Sequence, residues 1–332
     1  MGKWLVRIDA GGTFTDGWAR SPEGEEIRCK ILSSGIIRTR VVGLDGDWID
    51  CERPLSEHST GLEGFTLKSG GFVLDCNPLE GRLKLDRSPS LGETLELVTG
   101  EDAPLVAARI LTGTGIGKTF PEMDLRVATT RGTNALLEGK GEPVTLITNQ
   151  GFESLLEIRD QRRPDLFELA PAPRIPVIKE VIGIPGRLDR ESRELEKLEL
   201  NSLESLDASN VALALINADT APAHEKMMAE ELRQRGIEVS SSHELAPLIR
   251  FWPRTETTVA NAYLTPVMGA FIRELCDTLP ESPLSLMTSA GQLKGADEFR
   301  PIDSLLSGPA GGVAGALALA RSVGLDQALT FD

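Results

Sequence analysis

The sequence predicts an α/β fold, and three observations carry that expectation. It opens with three short β-rich runs around a Gly-Gly-Thr turn. A glycine-punctuated β-rich stretch follows, and from about Leu125 onward strand-like and helix-like segments alternate. With 332 residues, 40% of them hydrophobic, the chain has apolar material for about two globular units or one elaborated domain.

KWLVRIDA reads as the first strand, and GWARSPEGEEIRCKIL as two more around the turn PEGEE, which makes an antiparallel meander. Between residues 36 and 119 helical periods are few. The runs GFTLKS, GFVLDCN, GRLKLD and ETLELVT, separated by turn residues, predict a small β-rich unit. LRVATT is then a strand, TNALLEGKG a short helix closed by Gly141, PVTLITN a strand, and GFESLLEIRD a helix that stops before Pro164. Pro164 to Pro185 reads as a surface excursion. ESRELEKLELNSLESL reads as an acidic helix, VALALIN as a buried strand, AHEKMMAEELRQRG as an amphipathic helix and IEVSSS as a strand. TETTVANAYLTPVMGAFIRELCDTL has apolar residues at helical spacing, PLSLMTS is a strand, SLLSGPAGGVAGALALARSVG a Gly/Ala-rich helix, and QALTFD begins one more strand.

A formal charge of -15 argues against a nucleic-acid or anionic-membrane binder, because such surfaces need clustered Lys and Arg. Cys29, Cys51, Cys76 and Cys276 lie far apart with no CxxC spacing, so neither a zinc site nor a disulfide framework is expected. MGKWLVRIDA lacks the long apolar core of a signal peptide, and no run approaches the ~20 apolar residues of a membrane helix. The expectation is a soluble, cytoplasmic protein. His58, His224 and His243 are scattered, none beside a Ser or Cys elbow motif, which argues against a hydrolase triad.

IDAGGTFTD is the densest chemical signal. Two strands joined through Gly11, Gly12 and Thr13 bring backbone N–H groups close to an anion with no Cβ in the way. Thr13 and Thr15 add hydroxyl donors. Asp9 ends the first strand and Asp16 begins the second, so either can hold a hydrated Mg²⁺ or orient a water. The alternative is an ordinary Gly-rich hairpin with solvated aspartates. Its place in a meander followed by α/β units favours a nucleotide fold whose phosphates sit on hairpins. The rival motif, TGTGIGKT at 112–119, has Thr112 where a phosphate loop needs glycine, and Pro121 follows where a helix should start. It reads as a turn. SGPAGGVAGALALA puts Gly308, Gly311, Gly312 and Gly315 in a helix at about 1 kcal/mol each relative to Ala. That predicts close packing on another backbone, or a hinge or nucleotide-adjacent role.

IDAGGTFTD, TTRGTNALLEGKGEPVTLITNQGFESLLEIRDQRRPDLFEL, NAYLTPVMG and LLSGPAGGVAGA together resemble the hydantoinase A/5-oxoprolinase family, with ILSSGI closest to its 5-oxoprolinase-like branch. The resemblance implies the first half of an actin-like (ribonuclease H-like) ATPase fold with an inserted small β-rich domain. Residues 1–35 would carry the first strands and phosphate hairpin, 36–119 the insertion, and 120–332 the remainder of that half, cut before a second phosphate hairpin. It further implies ATP and Mg²⁺ as cofactors. Gly11, Gly12 and Thr13 would cradle phosphates with Thr15 in support. Asp9, through water, would serve Mg²⁺, and Asp9 or Asp16 the in-line oxygen. Substrate candidates are Arg131, Thr133 and Asn134 at the helix start after LRVATT, with Arg159, Arg162, Arg163 and Asp165. Against them stands a capping role for Thr133 and a solvated arginine face. Relatives often carry Asn and a Gly pair where MTSAGQL has Ala290 and Gln292, and Arg or Val where Ala10 stands.

The implied activity is ATP-dependent opening of a cyclic amide, 5-oxoproline or a hydantoin, with a hydantoinase B-type domain or subunit as partner and an oligomeric intact enzyme. An ATP-dependent ketone carboxylase subunit and a non-catalytic nucleotide-binding module are the alternatives. Residues 1–332 alone are expected to be inactive.

Overall fold

The computed structural model describes residues 2–52, 61–77, 80–160, 177–203 and 206–329. The chain divides into two units, one of residues 1–133, 270–299 and 303–332, the other of 134–269 and 300–302.

Period-two alternation builds the first unit. Strands β1 (Trp4–Ala10), β2 (Phe14–Arg20) and β3 (Glu26–Leu32) form the expected antiparallel meander. Val6, Ile8, Ala10, Ala19, Ile27, Cys29 and Ile31 are buried, while the alternate residues face outward. The following segment forms β4 (Ile37–Asp45), β5 (Trp48–Cys51), β6 (Thr66–Leu67), β7 (Val73–Asn77), β8 (Arg82–Leu85) and β9 (Thr94–Val98). These make one six-stranded sheet in the order β6-β9-β4-β5-β8-β7.

The β-rich reading of 36–119 needs one revision. Ala103–Thr112 is a helix, α1, and it packs on β1, β2 and β3 rather than on the second sheet. Nine of its ten residues are buried, so no polar face betrays its helical period in the sequence. At its closest approach, a Cβ on Gly17 would sit 2.7 Å from Cys29 Sγ and 2.9 Å from Leu111 Cδ1. Burial there pushes the Cys29 thiol up to about 12. Gly113, in the left-handed region, closes α1. TGTGIGKT is therefore a turn after a helix, not a loop before one.

Strand β10 (Met123–Thr129) lies parallel to β1 and leads into α2 (Arg131–Leu137). The second unit is a parallel sheet of β11 (Val144–Asn149), β12 (Ile178–Ile184), β15 (Asn210–Leu213) and β16 (Glu238–Ser241) in the order β12-β11-β15-β16. Its two inner strands are buried throughout, as a sheet covered on both faces requires. Short α3 (Leu155–Ile158) follows β11. The hairpin β13 (Arg187–Leu188) and β14 (Glu194–Glu196) precedes β15. α4 (Ala223–Gln234) buries Met228, Ala229 and Leu232 against Ile147, Val211, Leu213 and Val239. α5 (Ser242–Leu245) and the long α6 (Phe251–Thr278) come next, with residues 270–278 counting in the first unit. β17 (Leu284–Met287), β18 (Leu293–Gly295) and α7 (Ser307–Ser322) complete the first unit, whose main sheet runs β18-β17-β10-β1-β2-β3. Among the described residues no helix is long and apolar enough to cross a membrane.

Several local expectations are corrected. Over its described residues ESRELEKLELNSLESL does not form the expected helix: Asp189 accepts the Glu191 and Arg193 N–H groups in a turn, β14 pairs back on β13, and Leu200–Leu203 makes a short 3-10 helix. Gly139, with φ +67, closes α2. Gly141 is small for another reason: a Cβ there would fall 2.3 Å from the Tyr263 ring. Among the described residues, a Cβ added at any α7 glycine would meet no backbone of another element. Gly308 and Gly311 meet only the Thr130 and Met287 side chains, and Gly312 and Gly315 face open space. Residues 327–329 form no strand, and the rest of QALTFD lies outside the described residues, as does most of the proline-rich stretch.

Pro266 lies inside α6, where a proline removes the donor to the carbonyl four residues earlier. That carbonyl, on Ala262, is satisfied instead by Asn210 Nδ2 at 2.9 Å. Asn210→Ala is therefore expected to destabilise the second unit by about 1–3 kcal/mol, the cost of an orphaned buried acceptor. Urea unfolding monitored by circular dichroism measures it, and an unchanged midpoint would show the bond is dispensable.

Candidate functional site

β1, β10 and β17 run parallel, so Ala10, Thr129 and Met287 end at one edge of the main sheet. Loops leaving that edge are where open α/β sheets collect functional groups. The Thr130 N–H donates to Ala10 O at 3.1 Å, tying the loop after β10 to the β1–β2 hairpin.

The hairpin closes by Gly11 N–H to Phe14 O at 3.1 Å, leaving Gly12 and Thr13 exposed at its tip. Neither glycine has a positive φ, so the turn itself does not demand them. A Cβ on Gly11, however, would lie 3.0 Å from the Phe14 carbonyl. Thr15 differs from the expectation of a hydroxyl facing a ligand. It is fully buried, with Oγ1 3.3 Å from Ser33 Oγ, so its support is structural and from beneath. Ser33 donates to Gly11 O at 2.7 Å, and its N–H donates to Thr13 O at 2.9 Å. Sequence reasoning gave Ser33 no role, because its place under the hairpin follows from the β2–β3 register.

Asp9 and Asp16 stand directly opposite in the β1–β2 register, on the face away from α1. Lys30 Nζ lies 3.0 Å from both Asp16 oxygens and 5.0 Å from the centre of the Phe14 ring. With both partners more than half exposed, the ion pair contributes about 0–1 kcal/mol, yet it orients Asp16. Among the described residues no three His, Cys, Asp or Glu side chains gather as a metal cluster. Two neighbouring carboxylates still fit Mg²⁺, which takes one or two carboxylates and completes its shell with water and phosphate oxygens.

The other candidates divide. α2 starts at Arg131, whose N–H is accepted by Thr129 Oγ1 at 3.1 Å, so Thr133 is not its cap. Thr133 Oγ1 accepts the Leu306 N–H at 3.2 Å, and Ser307 Oγ donates to Thr129 O at 3.0 Å. These two bonds fix the start of α7 at the same edge. Arg131 is already engaged, 2.7 Å from Asp102 Oδ1 and 4.6 Å above the Phe271 ring. Asn134 belongs to the second unit, where its carbonyl accepts the Glu138 N–H. Arg159, also there, pairs with Glu256 at 3.1 Å. Arg162, Arg163, Asp165 and His58 lie outside the described residues. His243, read as having no Ser or Cys partner in an elbow motif, has Ser241 at 2.8 Å. That serine is fully buried, and both share the Glu225 carboxylate, so no open nucleophile results. In MTSAGQL, Thr288 closes the β17–β18 turn on Gln292 through backbone and hydroxyl.

Beside Arg131, Glu274 accepts the Asp102 N–H at 3.1 Å. Burial, reinforced by the Asp102 carboxylate, holds Glu274 above its ordinary value of 4.5. The folded state thus binds this proton more tightly than the unfolded chain. The stability it contributes is complete below 4.5 and is lost as pH rises through the raised value. Glu274→Gln is expected to gain on the wild type in paired urea titrations as pH rises above 4.5. Parallel stability curves would show that Glu274 ionises as in water.

Residues 86–236 match the model of the hydantoinase/oxoprolinase N-terminal region, and residues 254–332 match that of hydantoinase/oxoprolinase. The 5-oxoprolinase of Saccharomyces cerevisiae is 31% identical over 261 residues, which are 64% of this chain and 20% of that protein. Caprolactamase subunit alpha of Pseudomonas jessenii is 28% identical over 274 residues, 76% of this chain and 39% of that one. Acetone carboxylase in its nucleotide-free structure shares the fold, with a TM-score of 0.59 at 17% identity over 98% of this chain and 41% of that one. The chain spans about a fifth of the length of the 5-oxoprolinase it matches. With two matched regions in family order on a shared mixed α/β fold, the chain belongs to the hydantoinase/oxoprolinase family.

Proposed function

We propose that the protein works in ATP-dependent hydrolysis of a cyclic amide, with 5-oxoproline preferred to a hydantoin, and that this chain holds the nucleotide phosphates. The observation that carries the reading is the Gly11–Thr13 hairpin, whose exposed tip residues Gly12 and Thr13 follow β1 beside two opposed carboxylates. The names of the relatives, a 5-oxoprolinase and a caprolactamase subunit, support a lactam as substrate. The strand order β3-β2-β1-β10-β17, with a meander followed by parallel strands, supports an actin-like, ribonuclease H-type ATPase half.

The ring carbonyl of a lactam is a weak electrophile and its oxygen a poor leaving group. Transfer of the terminal phosphoryl group of ATP to that oxygen opens the carbon to water. Water adds at that carbon, and the ring C–N bond breaks as the nitrogen takes a proton. A second water attacks the resulting acyl phosphate, so that phosphate departs with the former carbonyl oxygen. In this reading the Gly12 and Thr13 N–H groups and the Thr13 hydroxyl hold phosphate oxygens in fixed positions, where little reorganisation is needed. Asp9 would hold Mg²⁺ through water, and the ion would supply charge neutralisation for the phosphates. Asp16, steadied by Lys30, orients the attacking oxygen. A hydantoinase B-type partner domain or subunit, a cytoplasmic location and an oligomeric holoenzyme belong to the same reading.

ADP release by the full-length protein tests it, with 5-oxoproline, hydantoin, or a ketone plus bicarbonate as the second substrate. Lactam-dependent ADP release, fastest with 5-oxoproline, is expected. ATP turnover indifferent to lactam, or none, would overturn the assignment, and turnover dependent on ketone and bicarbonate would make the protein a carboxylase.

A further inference from the structure

We propose that Ser33 is the positioning residue of the nucleotide hairpin, setting the direction in which the Gly12 N–H points. The inference rests on the phosphate-cradle reading and adds a residue outside the Gly-Gly-Thr motif. Ser33 has one hydroxyl proton, and the Gly11 carbonyl 2.7 Å away can only accept, so the proton lies between them. Ser33 Oγ is then an acceptor toward Thr15 Oγ1 at 3.3 Å, and the buried Thr15 must donate. The order is fixed: Thr15 hydroxyl to Ser33 hydroxyl to Gly11 carbonyl.

The consequence lies in the next peptide. The Gly11–Gly12 unit is planar and trans, so its C=O and N–H point in opposite directions. With the Gly11 carbonyl held toward Ser33, beyond β2 on the β3 side, the Gly12 N–H is aimed the other way, toward the edge shared with β10. The Ser33 N–H fixes the other side of the tip by donating to Thr13 O at 2.9 Å. One residue thus clamps both shoulders of a turn whose glycines would otherwise let the peptide rotate. The buried Thr15, which touches no ligand in this arrangement, is the outer member of the same relay.

The test uses the full-length enzyme and steady-state kinetics with both substrates varied. Ser33→Ala is expected to raise KM for ATP about 5- to 10-fold, the equivalent of one neutral hydrogen bond. KM for the amide should stay within about 2-fold, a split that general damage to the fold does not produce. Ser33→Thr keeps the hydroxyl and is expected to restore KM for ATP to within about 2-fold of wild type. Thr15→Val removes only the outer donor and is expected to raise it about 2- to 3-fold, which carries the test if Ser33→Ala does not fold. Gly12→Val separates the two readings. If it leaves KM for ATP unchanged, the hairpin is not the phosphate cradle. If it raises KM while Ser33→Ala and Thr15→Val do not, the cradle stands and the Ser33 assignment is wrong.

Discussion

The parallel alignment of β1 with β10 and β17 is the constraint on which the candidate site depends. It brings the C-terminal ends of three strands to one edge and with them the hairpin, the loop before α2 and the start of α7. The backbone bond from Thr130 to Ala10 makes that edge one piece, because each loop is fixed by a neighbour rather than by its own sequence. Antiparallel pairing at β1–β2 has a second effect, placing Asp9 and Asp16 side by side on one face. Topology thus concentrates oxygen ligands and backbone donors where neither strand alone would.

The polar side chains at this edge mostly hold the frame. Thr133, Thr129 and Ser307 satisfy backbone groups where α2 and α7 begin. Arg131 links Asp102 to the Phe271 ring, next to a glutamate whose carboxyl is held by burial above its ordinary value. In the second unit, buried Glu225 gathers the Leu215 N–H, both serine hydroxyls of the β16–α5 junction and the His243 N–H and ring. A carboxylate so fully served stays buried without a free charge. It ties α4 to the ends of two strands, which explains why a Ser–His pair lies buried in a shared hydrogen-bond network.

The hairpin was legible in the sequence because its signal is local: apolar alternation, a Gly pair and flanking carboxylates fall within nine letters. The strand–helix alternation after Leu125 was legible for the same reason. What was not legible depends on partners far along the chain. Ser33 gains its meaning from the β2–β3 pairing, and Asn210 from a proline fifty-six residues later, Pro266. α1 was hidden because nearly every side chain is buried, which erases the helical period. The acidic run after Asp189 misleads in the opposite sense. Its charges at helical spacing suit a solvated helix, but the turn at Asp189 folds it back as a hairpin. Thr15 shows the limit within a motif: type and spacing fit a ligand donor, and only its burial reveals a support.

The central claim is that the Gly11–Thr13 hairpin grips nucleotide phosphates, and a crystal structure of the full-length protein with a non-hydrolysable ATP analogue and Mg²⁺ tests it most directly. The account predicts phosphate oxygens within about 3 Å of the Gly12 and Thr13 nitrogens, with a hydrated Mg²⁺ facing Asp9. A nucleotide bound elsewhere, with the hairpin tip still in water, would contradict it.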